Sequence, residues 1–144
     1  MHDTIFDVDA IASSGSESLF FADGAIIHQR GDKGECAYIV KHGSVELRQR
    51  GRPVETIGVG EIFGETCVIT GARRATTAVA KGDVELLSID SELFAVLVRD
   101  DEDFSRTVMR LLARQLHAVS EMFERCVDDA PAHDGALAGQ SITA

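Results

Sequence analysis

The chain has 144 residues, 44% of them hydrophobic, which suits one domain with a real core and is short for two. Its formal net charge of -10 argues against broad attraction to phosphate backbones or anionic lipid surfaces, so we expect neither direct nucleic-acid binding nor membrane binding. Three cysteines without CxxC spacing, and the lack of a long apolar run, predict reduced thiols in a cytoplasmic protein without a metal site.

An acidic segment opens the chain. Residues 1–18 contain no Lys or Arg, and we expect this N-terminal acidic segment to be partly helical or loose. The main domain is predicted over residues 19–127. Residues 128–144 are small, polar and aperiodic, which predicts a disordered tail.

The middle of the chain has the pattern of short β-strands. Glycines recur at close spacing among runs rich in Val, Ile, Thr and Phe, and such turn signals are typical of many short strands. Val45 and Leu47 alternate with polar residues, and Gly51 suits a hairpin turn before Pro53. A later run alternates Val84, Leu86 and Ser88 with Glu85, Leu87 and Ile89. We predict half-buried antiparallel strands that close as a double-sheet jelly roll or small barrel.

Helices are predicted at the C-terminal end, because the apolar period changes from two to nearly four after Ile89. Asp90 suits the N-cap of a short helix that ends at about Leu97. A longer helix, residues 101–127, lacks Gly and Pro and begins with acidic residues that suit the helix dipole.

The longer helix carries two apolar stripes. The first, which we expect to dock on the barrel, consists of Phe104, Val108 and Leu111. The second has the spacing of a two-helix seam and consists of Met109, Leu112, Leu116, Val119, Phe123 and Cys126. The second stripe favours a homodimer through this helix. The alternative is one broad face that packs on its own domain.

The central stretch GEIFGETCVITGARRATTAVA predicts an anion site. A short helix after Gly64 has unsatisfied N–H groups in its first turn, and a glycine lets an anion approach the backbone closely. Arg74 stands where a guanidinium can bind two oxygens of the same anion. Glu65 accepts hydrogen bonds and therefore suits a hydroxyl donor beside the anion. A phosphate with a neighbouring hydroxyl indicates a ribose phosphate.

These residues resemble the cyclic nucleotide-binding domain family over residues 19–127. The family's phosphate-binding cassette has Phe-Gly-Glu, a short helix, then Arg followed by small residues, and Phe63, Gly64, Glu65 and Arg74 are similar in type and spacing. A second family motif, a glycine-rich hairpin, is similar to Gly31, Gly34, Tyr38 and Val40. The resemblance implies a mostly β fold, a double-stranded β-helix (jelly-roll) barrel followed by a long C-terminal helix.

The resemblance also implies the roles of the site residues. Glu65 would hold the ribose 2′-hydroxyl and Arg74 the cyclic phosphate. Backbone donors would come from Gly64, Cys67 and either Ala75 or Thr76, and the implied ligand-binding set is Phe63, Gly64, Glu65, Thr66, Cys67, Arg74, Ala75 and Thr76.

The chain departs from the family pattern at several cassette positions. Arg73 stands where the family has a proline, and counting back along the strand from Lys81 favours Arg74 over Arg73 as the ligand. Cys67 is interpreted as a small buried hydrophobe, with an oxidation-sensitive pocket as the alternative. Ala75, in place of the threonine that accompanies cGMP preference in this family, favours cAMP over cGMP.

The resulting prediction is a stand-alone, non-enzymatic cyclic nucleotide receptor that acts through its C-terminal helix on a dimer partner or an unknown effector protein. One alternative is the sensor portion of a catabolite-activator-like transcriptional regulator, or of a channel, without its effector domain. Another is a domain that only dimerises. An enzyme on a similar barrel is disfavoured, because His28 and His42 are isolated and suggest no metal triad.

Overall fold

The computed structural model describes residues 4–129, and the side chains as far as residue 125. Contacts divide the chain into two units, the first ending at Arg110 and the second beginning at Leu111. The elements are α1 Val8–Ala12, β1 Glu17–Phe21, β2 Ile26–His28, β3 Cys36–Gln49, β4 Arg52–Ile57, β5 Ile62–Phe63, α2 Glu65–Thr70, β6 Thr77–Asp90, α3 Ser91–Asp100 and α4 Glu102–Asp129. A mostly β chain with C-terminal helices is therefore confirmed.

The strands form one antiparallel sheet in the order β1-β6-β3-β4, with β2 also paired to β6 and β5 to β3. The two 14-residue strands β3 and β6 run beside each other from Cys36 opposite Asp90 to Arg48 opposite Thr77. The β3–β6 register shifts on both sides of His42. Such bulges bend a strand and increase its twist, which curves the sheet around its core.

The predicted hairpin joins β3 to β4. Gly51 has a φ of 77° in this turn, and Pro53 follows in β4, opposite Arg48. Val45 and Leu47 are both buried and belong to the core cluster, as their alternation predicted. The core lies on one face of the sheet and also includes Val40, Ile57, Phe63, Ala78, Ala80, Val84 and Leu86.

The end of β6 differs from its predicted alternation. Leu87 and Ile89 are buried, although the period-two pattern placed them on the face opposite Val84 and Leu86. Helix α3 packs on β6, and α1 packs on β3. The second face of the sheet is therefore covered here, and a strand covered on both faces loses the polar alternation of a half-buried strand.

A small helical layer forms around Phe104. Its ring lies 5.1 Å from that of Phe6 and 5.4 Å from that of Phe94, measured between centroids, and Phe104 is buried. Val108 is also buried. The Phe104 ring thus packs against rings of the N-terminal segment and of α3, and docking of this stripe on the barrel stays a prediction.

The predicted domain limits stay a prediction. Strand β1 begins at Glu17, inside the segment 1–18, and Phe6 and Ile11 from that segment are buried. At the other end, residues 128 and 129 complete α4, and the rest of the predicted tail lies outside the described residues.

Asp90 caps α3 as predicted, and its carboxylate accepts a hydrogen bond from the Leu93 N–H at 2.8 Å. The helix continues to Asp100, beyond the predicted end at Leu97.

We expect Asp90→Ala to lower the free energy of unfolding by about 1 kcal/mol, because an N–H in the first turn of α3 loses its acceptor. Urea denaturation followed by circular dichroism measures the change. Glu92→Ala is the matched control, since it removes an exposed acid from the same first turn without removing a cap, and a smaller loss is expected. Equal losses for the two variants would contradict the capping role.

Candidate functional site

The site begins where β5 runs into α2. Phe63, the last residue of β5, is buried opposite Tyr38 of β3, and the two ring centroids are 5.3 Å apart. Gly64 follows with a φ of 81°, in the left-handed region that favours glycine. A Cβ at Gly64 would lie 2.4 Å from Arg74 Nη1 and 3.2 Å from the Cys36 carbonyl oxygen. Glycine is therefore required both for the turn and for the close approach of Arg74.

Arg74 is held inside the site by two backbone carbonyls and an aromatic ring. Its side chain is only 5% exposed. Nη2 donates to the Cys36 carbonyl at 2.7 Å, Nη1 makes a long contact of 3.5 Å with the Gly64 carbonyl, and the guanidinium carbon lies 5.5 Å from the centroid of the Tyr38 ring. Nε is buried and has no hydrogen-bond partner within the described part of the chain. A buried cation with an unused donor is costly unless an anion binds it.

Two loops meet at the backbone of Arg74. Its N–H donates to the Asp32 carbonyl at 2.9 Å, and its carbonyl accepts from the Gly31 N–H at 2.8 Å. A Cβ at Gly34 would lie 2.4 Å from Cys67 Cβ and 3.0 Å from Arg74 Nε. The glycine-rich motif therefore allows the loop before β3 to pack closely against Arg74 and α2.

Glu65 is the second buried charged residue of the site. It begins α2 directly after Gly64 and is 7% exposed. Because Arg74 Nη1 contacts the Gly64 carbonyl, the guanidinium lies against the residue that precedes Glu65. The two charged residues singled out in the sequence are thus both buried. The guanidinium of Arg74 contacts the turn at which Glu65 begins α2.

The predicted site residues differ in their exposure. Phe63, Glu65, Cys67 and Arg74 are buried, Gly64 and Thr76 are half-buried, and Thr66 and Ala75 are exposed. Arg73 is exposed, and its Nη1 donates to the Gly31 carbonyl at 3.1 Å. Burial therefore distinguishes the two adjacent arginines, and Arg74 is the one inside the site.

Some of the residues around Arg74 had no assigned role in the sequence analysis. Tyr38 was part of the glycine-rich motif, but its position beneath the guanidinium depends on the pairing of β3 with β5. The Cys36 carbonyl, a backbone group, leaves no signal in the sequence. His28 was interpreted as an isolated residue, yet its ring lies 5.9 Å from that of Phe63 and 6.4 Å from that of Tyr38, between centroids.

His28 is uncharged in this environment. Burial, and then the positive charge of Arg74, lowers the pKa of His28 to about 4. Its two ring nitrogens are buried without a well-formed hydrogen bond to any described residue. The positive charge in this part of the site therefore belongs to Arg74 and not to His28.

The described residues lack two kinds of feature. They contain no cluster of three or more His, Cys, Asp and Glu side chains that would suit a metal ion. Within the same residues, no helix has the length and apolar character needed to span a membrane.

Comparisons with known proteins agree with this geometry. A family model described as "Cyclic nucleotide-binding domain" matches residues 18–101. The chain is 32% identical over 111 residues to the cyclic AMP receptor protein of Thermus thermophilus, an alignment that covers 74% of this chain and 51% of that protein. It is 34% identical over 88 residues to a cAMP-dependent protein kinase regulatory subunit of Eremothecium gossypii, covering 61% of this chain and 19% of the subunit.

A solved structure gives the same result for the fold. The crystal structure of the Thermus thermophilus catabolite activator protein superposes with a TM-score of 0.73 at 30% identity, over 83% of this chain and 58% of that one. With the family match, this confirms the predicted jelly-roll fold class. The chain spans about half of the receptor protein and about a fifth of the kinase subunit.

Proposed function

Because this chain belongs to the cyclic nucleotide-binding domain family, we propose that it is a non-enzymatic receptor module for a cyclic nucleotide, with cAMP preferred over cGMP. Binding is transmitted through α4 to a second copy of the chain or to an effector protein. The proposed location is the cytoplasm, and no metal takes part.

The buried guanidinium of Arg74 is the observation that carries this proposal. Its Nε is buried and has no hydrogen-bond partner among the described residues, while Nη1 and Nη2 contact the Gly64 and Cys36 carbonyls. A singly charged cyclic phosphate supplies the missing acceptor together with a negative charge. Gly64 leaves room for this anion, since a side chain there would meet the guanidinium.

The other predicted residues complete the proposed binding mode. The carboxylate of Glu65 accepts a hydrogen bond from the ribose 2′-hydroxyl. Backbone N–H groups in α2 and in the segment after Arg74 donate to the phosphate, and the full set is Phe63, Gly64, Glu65, Thr66, Cys67, Arg74, Ala75 and Thr76. Cys67 is buried against the position where Gly34 would carry a Cβ, which supports its role as a small packing residue.

The preference for cAMP depends on Ala75. A threonine at this position would supply a side-chain hydroxyl for guanine, whereas the alanine supplies none. The names of two similar proteins, a cyclic AMP receptor protein and a cAMP-dependent kinase subunit, are consistent with this choice.

Calorimetric titration of the purified chain with cAMP and with cGMP tests the proposal directly. We expect saturable binding of both nucleotides at one site per chain, with cAMP the tighter. 5′-AMP, which has the same base but an open, more highly charged phosphate, is the matched control ligand and should bind much more weakly. No heat and no saturation with either cyclic nucleotide would contradict the proposed function.

The proposed transmission uses the exposed apolar stripe of α4. Met109, Leu112, Leu116, Val119 and Phe123 are between 39% and 70% exposed and recur at three- and four-residue spacing, as a two-helix seam requires. The side chain of Cys126, the last member of the predicted stripe, lies outside the described side chains. We propose that a second copy of the chain covers this stripe.

We expect the wild-type chain to have twice its 15.5 kDa mass in light scattering at micromolar concentration. Leu116→Glu should shift it to the monomer mass, because the dimer would bury an unpaired carboxylate. Phe20→Glu is the matched control, since Phe20 is 72% exposed on β1 and its replacement should leave the mass unchanged. A wild-type monomer at high concentration, with and without cAMP, would exclude the dimer.

A second candidate function follows from the partial coverage of the relatives. Since the chain spans only about half of the similar receptor protein, the sensor portion of a longer transcriptional regulator or channel has the same features. A gel-shift assay with promoter DNA at low salt, with and without cAMP, tests whether this chain binds DNA by itself. The receptor module proposed here should not bind DNA by itself, given its formal charge of -10.

A further inference from the structure

His28 has two buried ring nitrogens without partners. It lies in β2 opposite Ala78 of β6, and neither Nδ1 nor Nε2 has a hydrogen-bond partner among the described residues. Its ring packs on two others, 5.9 Å from Phe63 and 6.4 Å from Tyr38 between centroids. Buried polar groups are nearly always paired in folded proteins, because an unpaired one is costly. Packing between rings alone therefore does not explain a histidine at this position.

The unpaired polar atoms of the described side chains lie together. The buried nitrogens without a hydrogen-bond partner belong to His28 and to Arg74, whose Nε is the third such atom. Both side chains contact the same ring, since the Arg74 guanidinium carbon lies 5.5 Å from the centroid of Tyr38, on which the His28 ring stacks. An anion that binds Arg74 therefore enters the cluster of side chains that contains His28.

The surroundings of His28 oppose its protonation in the free chain. Burial contributes most to lowering the pKa of His28 to about 4, followed by the positive charge of Arg74. The backbone of Thr76, and then the charge of Asp32, act in the opposite direction without offsetting these two effects. A further ionisable neighbour, Tyr38, is uncharged at acidic and neutral pH, because burial raises the pKa of its hydroxyl.

A bound cyclic phosphate would offset one of the two opposing effects. In the proposed binding mode its negative charge lies against the guanidinium of Arg74, so it reduces the repulsion between Arg74 and a protonated His28. The imidazolium ion also has two N–H donors and no acceptor, which suits a site that holds a phosphate. A ligand that makes a residue easier to protonate binds more tightly once that proton is present.

We propose that His28 is a second, proton-dependent cation of the anion site, which takes up a proton when a cyclic nucleotide binds to Arg74 and so makes binding tighter at mildly acidic pH. This inference rests on the proposed function and adds regulation by pH to it. Histidine is the side chain whose charge normally changes close to physiological pH, so a modest acidification is enough to engage it.

The sign and size of the effect follow from linkage. The complex has the higher His28 pKa, so affinity rises as the pH falls through that value. If the phosphate restored the pKa from about 4 to the ordinary 6.5, the dissociation constant would fall about tenfold between about pH 8 and about pH 5.5. Burial persists in the complex, so we expect a decrease of roughly threefold to tenfold. This range of pH stays above the isoelectric point of about 4.8.

Calorimetric titration with cAMP and with cGMP, in pairs of buffers that differ in ionisation heat, measures both the dissociation constant and the protons taken up. We expect wild-type chain to take up a fraction of a proton per nucleotide near about pH 5.5 and almost none near about pH 8. His28→Phe keeps an aromatic ring and His28→Gln keeps a polar side chain, but neither can be protonated. Both variants should lose the proton uptake and the pH dependence.

His42→Gln is the matched control for these variants. The His42 side chain is 72% exposed, on a bulge of β3, and its replacement removes a titrating imidazole without changing the site. This variant should keep the wild-type proton uptake and pH dependence. Because cAMP and cGMP carry different bases and the same phosphate, an equal effect with both nucleotides excludes protonation of the base as its source.

NMR titration of the His28 ring protons gives a second test, which needs no replacement of His28. In wild-type chain the ring should stay unprotonated down to about pH 5.5 without ligand, and should become partly protonated there when saturated with cAMP. Arg74→Ala should increase the protonation of His28 in the free chain, because it removes an opposing charge. Arg73→Ala, which removes the charge of an exposed side chain, should not.

The outcomes separate this inference from the proposed function. Loss of the pH dependence in both His28 variants, with its retention in His42→Gln, supports the inference. If the His28 variants keep the wild-type pH dependence, or if the ring titrates identically in free and saturated wild-type chain, the inference is wrong although the receptor function stands. If no cyclic nucleotide binds to the wild-type chain at either pH, both proposals are wrong.

Discussion

Arg74→Ala is expected to weaken cAMP binding by roughly thirtyfold to several thousandfold, corresponding to a loss of about 2–5 kcal/mol. The side chain is 5% exposed, so the phosphate would lose a cation in a site from which water is largely excluded. A lysine does not repair the loss completely, because its single ammonium cannot donate in the planar arrangement of the guanidinium. Calorimetric titration of wild-type chain, Arg74→Ala and Arg74→Lys measures the effect.

Arg73→Ala is the matched control for this experiment. It removes the same charge from the neighbouring position, but Arg73 is exposed and its Nη1 hydrogen bonds to the Gly31 carbonyl. We expect its cAMP affinity to stay within a few-fold of wild type. The midpoint of urea unfolding shows whether each variant is folded at the titration temperature. Wild-type affinity in a folded Arg74→Ala variant would overturn the assignment of the site.

Gly64→Ala is expected to weaken cAMP binding at least tenfold. The added methyl group would lie 2.4 Å from Arg74 Nη1, so the guanidinium must move away from the position in which its Nε is available. The left-handed φ of 81° adds about 1–2 kcal/mol of backbone strain to the cost. Both binding and stability should therefore decrease, and both can be measured on one preparation.

Gly71→Ala separates these two effects. Gly71 ends the same helix α2 with a φ of 76°, but a Cβ there meets nothing within 4 Å. This variant should lose a similar amount of stability from backbone strain while retaining most of its affinity for cAMP. If Gly64→Ala and Gly71→Ala lost affinity equally, the contact between position 64 and Arg74 would not be the cause.

The two cassette predictions and the dimer prediction concern different parts of the molecule. The Arg74 and Gly64 variants lie at the turn between β5 and α2, whereas Leu116 lies on α4 in the second unit. The mass of the Arg74→Ala variant, measured with and without cAMP, therefore also tests whether ligand binding at the site is transmitted to the dimer. A ligand changes an assembly only if it binds the two states with different affinities.

Much of the fold was predicted from local sequence signals. The hairpin at Gly51, the burial of Val45 and Leu47, and the cap at Asp90 each depend on a few adjacent residues, and each is present in the structure. Residue type and spacing also identified the cassette itself. The Gly64 turn and the burial of Arg74 agree with that identification.

Features that depend on several distant segments were not predicted. The burial of Leu87 and Ile89 follows from helices that cover the second face of β6, and a strand pattern carries no information about such a cover. Likewise, Phe104 contacts Phe6 and Phe94 because the N-terminal segment and α3 meet at α4.

The sequence by itself determined the family, the strand-to-helix order and which residue types make up the proposed anion site, because turns, caps and the cassette are encoded over short stretches of chain. Only the tertiary structure decided what surrounds them: Tyr38 and the Cys36 carbonyl beside Arg74. Those neighbours depend on strand register and on bulges such as the one at His42, where a shift of one residue exchanges the faces of a strand.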